Sequence, residues 1–254
     1  ELKRDLRQFS RELNNDPATY RLLMAMRAAL IIADSAASGL VREGKNIQEW
    51  IGVAFDEAQL LDVEAIEKKV IEPRVTQLKN VRGDFQWKDF QQAAEELPQR
   101  ALMLASCGSG KTLAAWRWVK ARAEQRPVAR VIFLYPTRGT ATEGFRDYVS
   151  WAPEADAALV HGTSAFELDG MFENPQDSRA GKEFITEDRL FALGYWQRHI
   201  FSATVDQFLG FMQHVYRSTC LMPLLADSVI VIDEVHSFDH NLFSALKRFL
   251  QTFD

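Results

Sequence analysis

The chain carries two rhythms of hydrophobic and polar positions, and one gives way to the other near residue 80. In the first part, apolar residues recur at helical spacing with few β-branched runs. Residues 20–38 are rich in Ala, Leu and Met, and Gly39 follows where a helix C-cap is expected. Asn46 is placed to cap a short helix carrying Ile47, Trp50, Ile51 and Val53. Asp62 is placed to cap another that runs to Pro73, whose missing N–H should end or kink it. Residues 80–89, with Gly83 and mixed charge, read as a linker. From residue 100 the pattern becomes short apolar runs separated by turns and helical stretches. The runs at 101–105, 131–135, 157–160, 199–202 and 229–232 suit strands of a parallel sheet covered on both faces. Helical spacing lies between most of them, at 112–124, 141–151 and 205–217. The alternation predicts an α/β fold with a doubly wound parallel sheet over 81–254, preceded by an all-α segment over 1–80. Residues 162–195 break the rhythm with Gly, Pro, Asp and Asn, and are expected to form a long irregular insertion.

Composition narrows the class without changing the architecture. Of the 254 residues, 47% are apolar and 26% charged, the balance of a globular protein with a real core. The longest apolar stretch, 22–33, is interrupted by Arg27 and falls short of the ~20 residues that span a bilayer. No membrane span is expected. The polar start lacks the apolar run of a signal peptide, and Glu1 in place of Met suggests that the natural sequence extends upstream. Cys107 and Cys220 are too few for a disulfide framework and fit a reducing cytoplasm. The formal charge of −5 places any nucleic-acid partner in a local groove rather than on a basic surface.

The sharpest chemical signal is Ala105-Ser-Cys-Gly-Ser-Gly-Lys-Thr112, a Walker A pattern between an expected strand and an expected helix. Gly108 and Gly110 let the backbone N–H groups of the Ser106, Cys107 and Ser109 loop turn inward around a phosphate, at the positive end of the helix dipole. Lys111 reaches the β- and γ-phosphates, and the Thr112 hydroxyl ligates magnesium. Its counterpart is Val229-Ile-Val-Ile-Asp-Glu-Val-His236. Four apolar residues deliver an acidic pair to the C-terminal end of a strand, where such sheets hold ligands. Asp233 is the candidate to hold magnesium through its water shell, and Glu234 to polarise an attacking water. Lys111, Asp233 and Glu234 are the catalytic set.

The four residues Asp233-Glu-Val-His236 form a DExH box, and the chain here resembles the superfamily 2 helicases. Asp89-Phe-Gln-Gln-Ala-Ala94 precedes the P-loop as a Q motif does; the resemblance implies that Gln91 reads the adenine edge, with Phe90 nearby. Tyr135-Pro-Thr-Arg138 resembles the motif that contacts a single-strand backbone, and Thr137 and Arg138 are phosphate-binding types. A closer likeness joins Ser202-Ala-Thr-Val-Asp-Gln-Phe208 to the box Asp233–Asp239. This pairing resembles the CRISPR-associated helicase–nuclease of type I interference systems, over about residues 85–240. The Ser202-Ala-Thr204 tripeptide precedes the DExH box, so it is not the helicase motif of the same letters that follows it.

The resemblance implies a RecA-like domain that binds ATP and Mg2+, with Pro136, Thr137, Arg138, Thr204, Asp206 and Gln207 as candidate DNA contacts. In a whole protein it implies ATP-driven movement on single-stranded DNA and degradation of target DNA after recruitment by the Cascade surveillance complex. It further implies an HD nuclease domain using a divalent transition metal, of which residues 1–80 would be the final helices and Asp34 a metal ligand. All five histidines lie at 161 or beyond, so the His ligands of such a site are absent from the first part. The sequence stops shortly after the DExH box, and a second RecA-like domain with its arginine fingers is therefore not expected in it. Nucleotide binding with very slow hydrolysis, and no unwinding, is the expectation for the chain by itself. Two alternatives stay open: another superfamily 2 translocase such as a restriction-enzyme subunit, and a non-motor P-loop module. Trp116 and Trp118 read as core rather than stacking platforms, and His236 as a link between the ATP site and the DNA track.

Overall fold

The computed structural model describes residues 2–41, 44, 46–54, 60–106, 108–126, 128–136, 199–213, 219 and 222–253. The expected helix at 141–151, strand at 157–160 and insertion at 162–195 lie outside them. The helices are α1 (Leu2–Asn15), α2 (Pro17–Ser35), α3 (Ile47–Ala54), α4 (Val63–Ile66), α5 (Glu72–Arg82), α6 (Asp89–Ala93), α7 (Lys111–Ala123), α8 (Val205–Leu209) and α9 (His240–Thr252). The strands are β1 (Arg130–Tyr135), β2 (Ile200–Thr204) and β3 (Ser228–Ile232). They form a parallel sheet in the order β2-β1-β3, with Val131 opposite Ile200 and Val229.

The central strand shows why both faces must be covered. Val131, Ile132, Phe133, Leu134 and Tyr135 are all buried, and the period of two sends them alternately to opposite sides. Ile132 and Leu134 join a core with Tyr20, Met24, Ala28 and Ile32 of α2, Phe208 of α8 and Leu246 and Phe249 of α9. Val131, Phe133 and Tyr135 join another with Trp116 and Val119 of α7 and with Leu61, Ile66, Val70 and Ile71. Trp116 is fully buried, its ring 5.4 Å from that of Phe133, which bears out its reading as core. The described part of residues 1–80 is helical, as expected. It builds both layers of the sandwich, with no core of its own apart from the sheet.

Local signals in this helical part were partly right. Asn46 Oδ1 accepts from Gln48 N and Glu49 N at 2.8 and 3.4 Å, and Asp62 Oδ1 accepts from Ala65 N at 2.7 Å, so both caps form. Gly39 does not end a helix: α2 runs on into a π-helical turn, Ala36–Leu40. The buried stripe of α2 explains the turn. Tyr20, Met24, Ala28, Ile32, Ala36 and Leu40 are all four residues apart, a spacing that drifts about 40° per step around an ordinary α-helix. A wider turn offsets that drift and keeps Leu40 on the core. Pro73 does not stop its helix either. A π turn, Glu67–Ile71, leads directly into α5, so the helical run is locally widened just before Pro73 rather than ended by it. The helix ends ten residues later at Gly83, φ +79°, inside the stretch expected to be linker.

The strand expected at 101–105 is a correction. These residues are not part of the sheet, and Leu102 and Leu104 are 76% and 87% exposed. An apolar run becomes a strand only where a neighbouring backbone completes its hydrogen bonds, and among the described residues none lies beside it.

Candidate nucleotide site

The turn into α7 is made by glycine. Gly108 and Gly110 have φ of +70° and +95°, a left-handed region that a Cβ makes costly. Gly110 is the residue just before α7, so the first-turn N–H groups of a 13-residue helix open onto the loop. The loop is held from behind. Gln91 Nε2 donates to the Gly110 carbonyl at 3.0 Å, and Lys88 Nζ donates to the Ser109 carbonyl at 2.8 Å. A Cβ at Gly110 would stand 2.5 Å from Gln91 Nε2. Ser109 Oγ is buried with no hydrogen-bond partner among the described residues. A glycine turn at the N-terminus of a helix, beside an orphaned hydroxyl, fits a phosphate group.

Strand β3 brings the acidic pair to this loop. Asp233 N donates to the Leu134 carbonyl at 2.9 Å, extending the ladder by one residue. The chain then turns sharply at Glu234, whose φ of +53° is left-handed without being glycine. Asp233 Oδ1 accepts from Glu234 N at 2.9 Å, and Glu234 O accepts from Ser237 N at 2.9 Å. The result points both carboxylates at the P-loop lysine: Lys111 Nζ lies 3.1 Å from Glu234 Oε1 and 3.8 Å from Asp233 Oδ1. Two motifs 123 residues apart thus meet in one ion-pair cluster. His236, largely exposed, places Nδ1 3.4 Å from Glu234 Oε2.

Helix α7 is braced so that Lys111 and Thr112 keep their place. Arg117 Nη2 lies 2.8 Å from Glu95 Oε2, and its guanidinium stacks 4.4 Å over the Trp87 ring. Lys120 Nζ lies 2.7 Å from Glu67 Oε2, and Trp118 Nε1 donates to the Pro98 carbonyl at 3.0 Å. Burial of Lys120 works against its charge, and the Glu67 and Glu95 carboxylates together outweigh it, so its pKa is raised. Lys88, Glu95 and Arg117 escaped the sequence reading. No motif marks them: Lys88 and Gln91 have the spacing of a capping box, but lysine has no acceptor to complete one.

The other expected site residues divide by position. Because the strands are parallel, Pro136 after β1, Thr204 at the end of β2 and Asp233 after β3 all reach the same sheet edge. With strands about 4.8 Å apart, Thr204 stands about 10 Å from the line of the acidic pair. Thr204 is buried, which sets its side chain behind that edge, while Asp206 is exposed at the start of α8. Cys107, Thr137 and Arg138 lie outside the described residues, as does the side chain of Gln207. Ser106 is exposed in the loop and Thr112 half-buried in the first turn of α7. Asp34 is exposed near the end of α2, far in sequence from any histidine. Among the described residues no group of three His, Cys, Asp or Glu could hold a metal ion. Among the described residues, no helix is long and apolar enough to cross a membrane.

Residues 83–253 match the family model described as DEAD/DEAH box helicase. The chain is 34% identical over 245 residues to a protein of Myxococcus xanthus (strain DK1622) named as a CRISPR-associated nuclease/helicase Cas3, covering 96% of this chain and 31% of the relative. It is 26% identical over 181 residues to a protein of the same name from Methanocaldococcus jannaschii, covering 65% of this chain and 24% of the relative. The chain therefore spans about a third or less of the length of these curated relatives. No solved structure matches it significantly.

Proposed function

Because the chain belongs to the DEAD/DEAH box helicase family and carries its RecA-like ATP-binding module, we propose that it binds ATP through Ser106–Thr112 and hydrolyses it with Glu234 as general base. The observation that supports this best is the meeting of Lys111 with Glu234 at 3.1 Å. An incoming triphosphate competes for the same ammonium. Its γ-phosphate takes Lys111 and releases the Glu234 carboxylate to accept a proton from water, so binding itself arms the base. Thr112 and Asp233 are the residues that would hold magnesium, which when bound would neutralise charge building on the phosphates. Lys111 does the same from the other side, and the loop N–H groups orient the chain of phosphates.

In a longer protein of the kind this chain resembles, the module would drive movement on single-stranded DNA during CRISPR interference, alongside a nuclease and a target-bound surveillance complex such as Cascade. The sheet edge that carries the acidic pair also carries Pro136 and leads to Thr137 and Arg138, with Asp206 and Gln207 after β2. A DNA strand lying on these loops would sense motion of the acidic pair two strands away, with His236 as the exposed group between them. An HD-type metal at Asp34 would need its histidines from other sequence. The match over 83–253 favours a motor over a non-motor P-loop module, and the relatives' names favour the CRISPR-associated motor over a restriction translocase.

The test is binding of a fluorescent ATP analogue with magnesium, beside Lys111→Ala. The expected result is saturable binding that the substitution weakens about a hundredfold, the loss of a charge-assisted phosphate contact. Single-stranded DNA should shift the affinity. Equal binding by the Lys111→Ala protein would overturn the site. Turnover is read in the same samples.

A further inference from the structure

Among the described residues around the P-loop, Gln91 is a polar side chain that is almost wholly buried, at 3% exposure. Both ends of its amide are taken up by backbone. Oε1 accepts from Lys88 N at 3.1 Å, while Nε2 donates to the Gly110 carbonyl at 3.0 Å. Gln91 N in turn donates to the Lys88 carbonyl at 2.9 Å, so residue 91 is fixed by a closed set of bonds at the start of α6. The contact with Gly110 is close enough that any Cβ there would collide with Nε2. One donor and one lone pair of the amide remain, but with 3% of the residue exposed they are turned away from any base in solution. Gln91 has a direct hold on the carbonyl of the left-handed glycine on which the phosphate loop turns.

From this geometry we propose that Gln91 is a positioning residue for the phosphate loop, acting on every triphosphate alike whatever its base. The inference rests on the ATP-site assignment above and adds a role to it. Gln91 locks the Gly110 peptide so that the loop N–H groups face inward before a ligand arrives. Lys88, bonded to the Ser109 carbonyl one residue earlier, holds the neighbouring peptide in the same sense. Base selectivity, if the site has any, comes from other residues.

The experiment compares wild type, Gln91→Ala and Gln91→Glu in binding three magnesium complexes: ATP, GTP and inorganic tripolyphosphate. Loss of one buried hydrogen bond to the loop should weaken all three by the same factor, about five- to tenfold, leaving the ATP-to-GTP ratio unchanged. Gln91→Glu keeps the length of the side chain but sets a carboxylate oxygen against the Gly110 carbonyl. It should therefore bind all three more weakly than Gln91→Ala does. Thermal melting without ligand identifies any variant that has lost its fold, and a circular-dichroism match to wild type is required for inclusion. Gly110→Ala, alone and with Gln91→Ala, supplies a second reading: removing the amide should recover part of the melting temperature lost to the added Cβ. Weaker ATP binding with GTP and tripolyphosphate unaffected would make Gln91 an adenine reader and overturn the proposal. So would unchanged binding of all three, in which case Lys111→Ala, still defective, would leave the ATP-site assignment standing. Failure of wild type to bind any of the three would remove both.

Discussion

Glu234 is held at φ +53°, and that backbone costs a non-glycine residue about 1–2 kcal/mol. Its partly exposed pairing with Lys111 returns at most about 1 kcal/mol, so the free protein is strained at the residue that would do the chemistry. Asn tolerates this region better than Glu. Glu234→Asn should therefore raise the melting temperature, by up to a few degrees, while abolishing hydrolysis; a lower melting temperature would show that the ion pair outweighs the strain. Glu234→Gln separates the two roles differently. It keeps the shape, removes the base, and should retain ATP binding with turnover down about 10²- to 10⁴-fold, measured by phosphate release at saturating ATP. These residues were legible as types, since an acid pair after an apolar run and a glycine loop before a helix are sequence patterns. That the two motifs belong together was legible too; the direct Lys111–Glu234 ion pair was not, because a contact across 123 residues depends on how the strands align.

At the scale of elements, caps were read correctly and terminations were not. Asp16, which the sequence reading did not single out, is a further cap: its carboxylate accepts from the Thr19 hydroxyl and from the backbone N–H groups of Thr19 and Ala18. The Thr19 hydroxyl, then the Thr19 N–H, hold its pKa below the ordinary 3.8. With the folded value depressed, the cap's contribution is complete above the unfolded pKa and is lost as pH falls through the folded one. Asp16→Ala should thus lower the melting temperature at neutral pH, with the gap to wild type closing as the solution is made more acidic than the folded carboxyl. A gap that persists unchanged in acid would mean that charge has no part in the cap. Helix ends were misread because Gly39 and Pro73 are local signals, whereas the π turns beside them answer to which residues must face the sheet. The run at 101–105 was misread for a related reason. Leu102 and Leu104 are exposed, so replacing both with Thr should change unfolding free energy by within about 0.5 kcal/mol, while lowering binding of a hydrophobic dye. A loss of several kcal/mol in a urea titration would mean that these side chains are packed after all.

For the whole molecule, the consequential feature is that helix α2 belongs to the same core as β1 and α9. Met24 is fully buried there, among a cluster in which the Phe208 and Phe249 rings meet edge to face at 5.7 Å. Met24→Ala should cost about 2–5 kcal/mol and lower the urea midpoint as one transition followed at both the sheet and the helical part. Two separated transitions would mean that residues 1–80 fold apart from the rest. By itself the sequence determined the α/β class, three of the strands and the helical character of the described part of residues 1–80, and it marked Lys111, Asp233 and Glu234 as candidates. These follow from short-range chemistry: side-chain period, capping and the residue types that phosphate and magnesium require. The tertiary structure decided what needs a partner distant in the chain. It settled that the 101–105 run lies outside the sheet of the described residues, that the first helices contribute to both layers over that sheet, that Gln91 bonds the Gly110 carbonyl, and that Lys111 sits between two carboxylates. Each of these depends on which backbone or side chain lies alongside, and spacing along a sequence carries no such information.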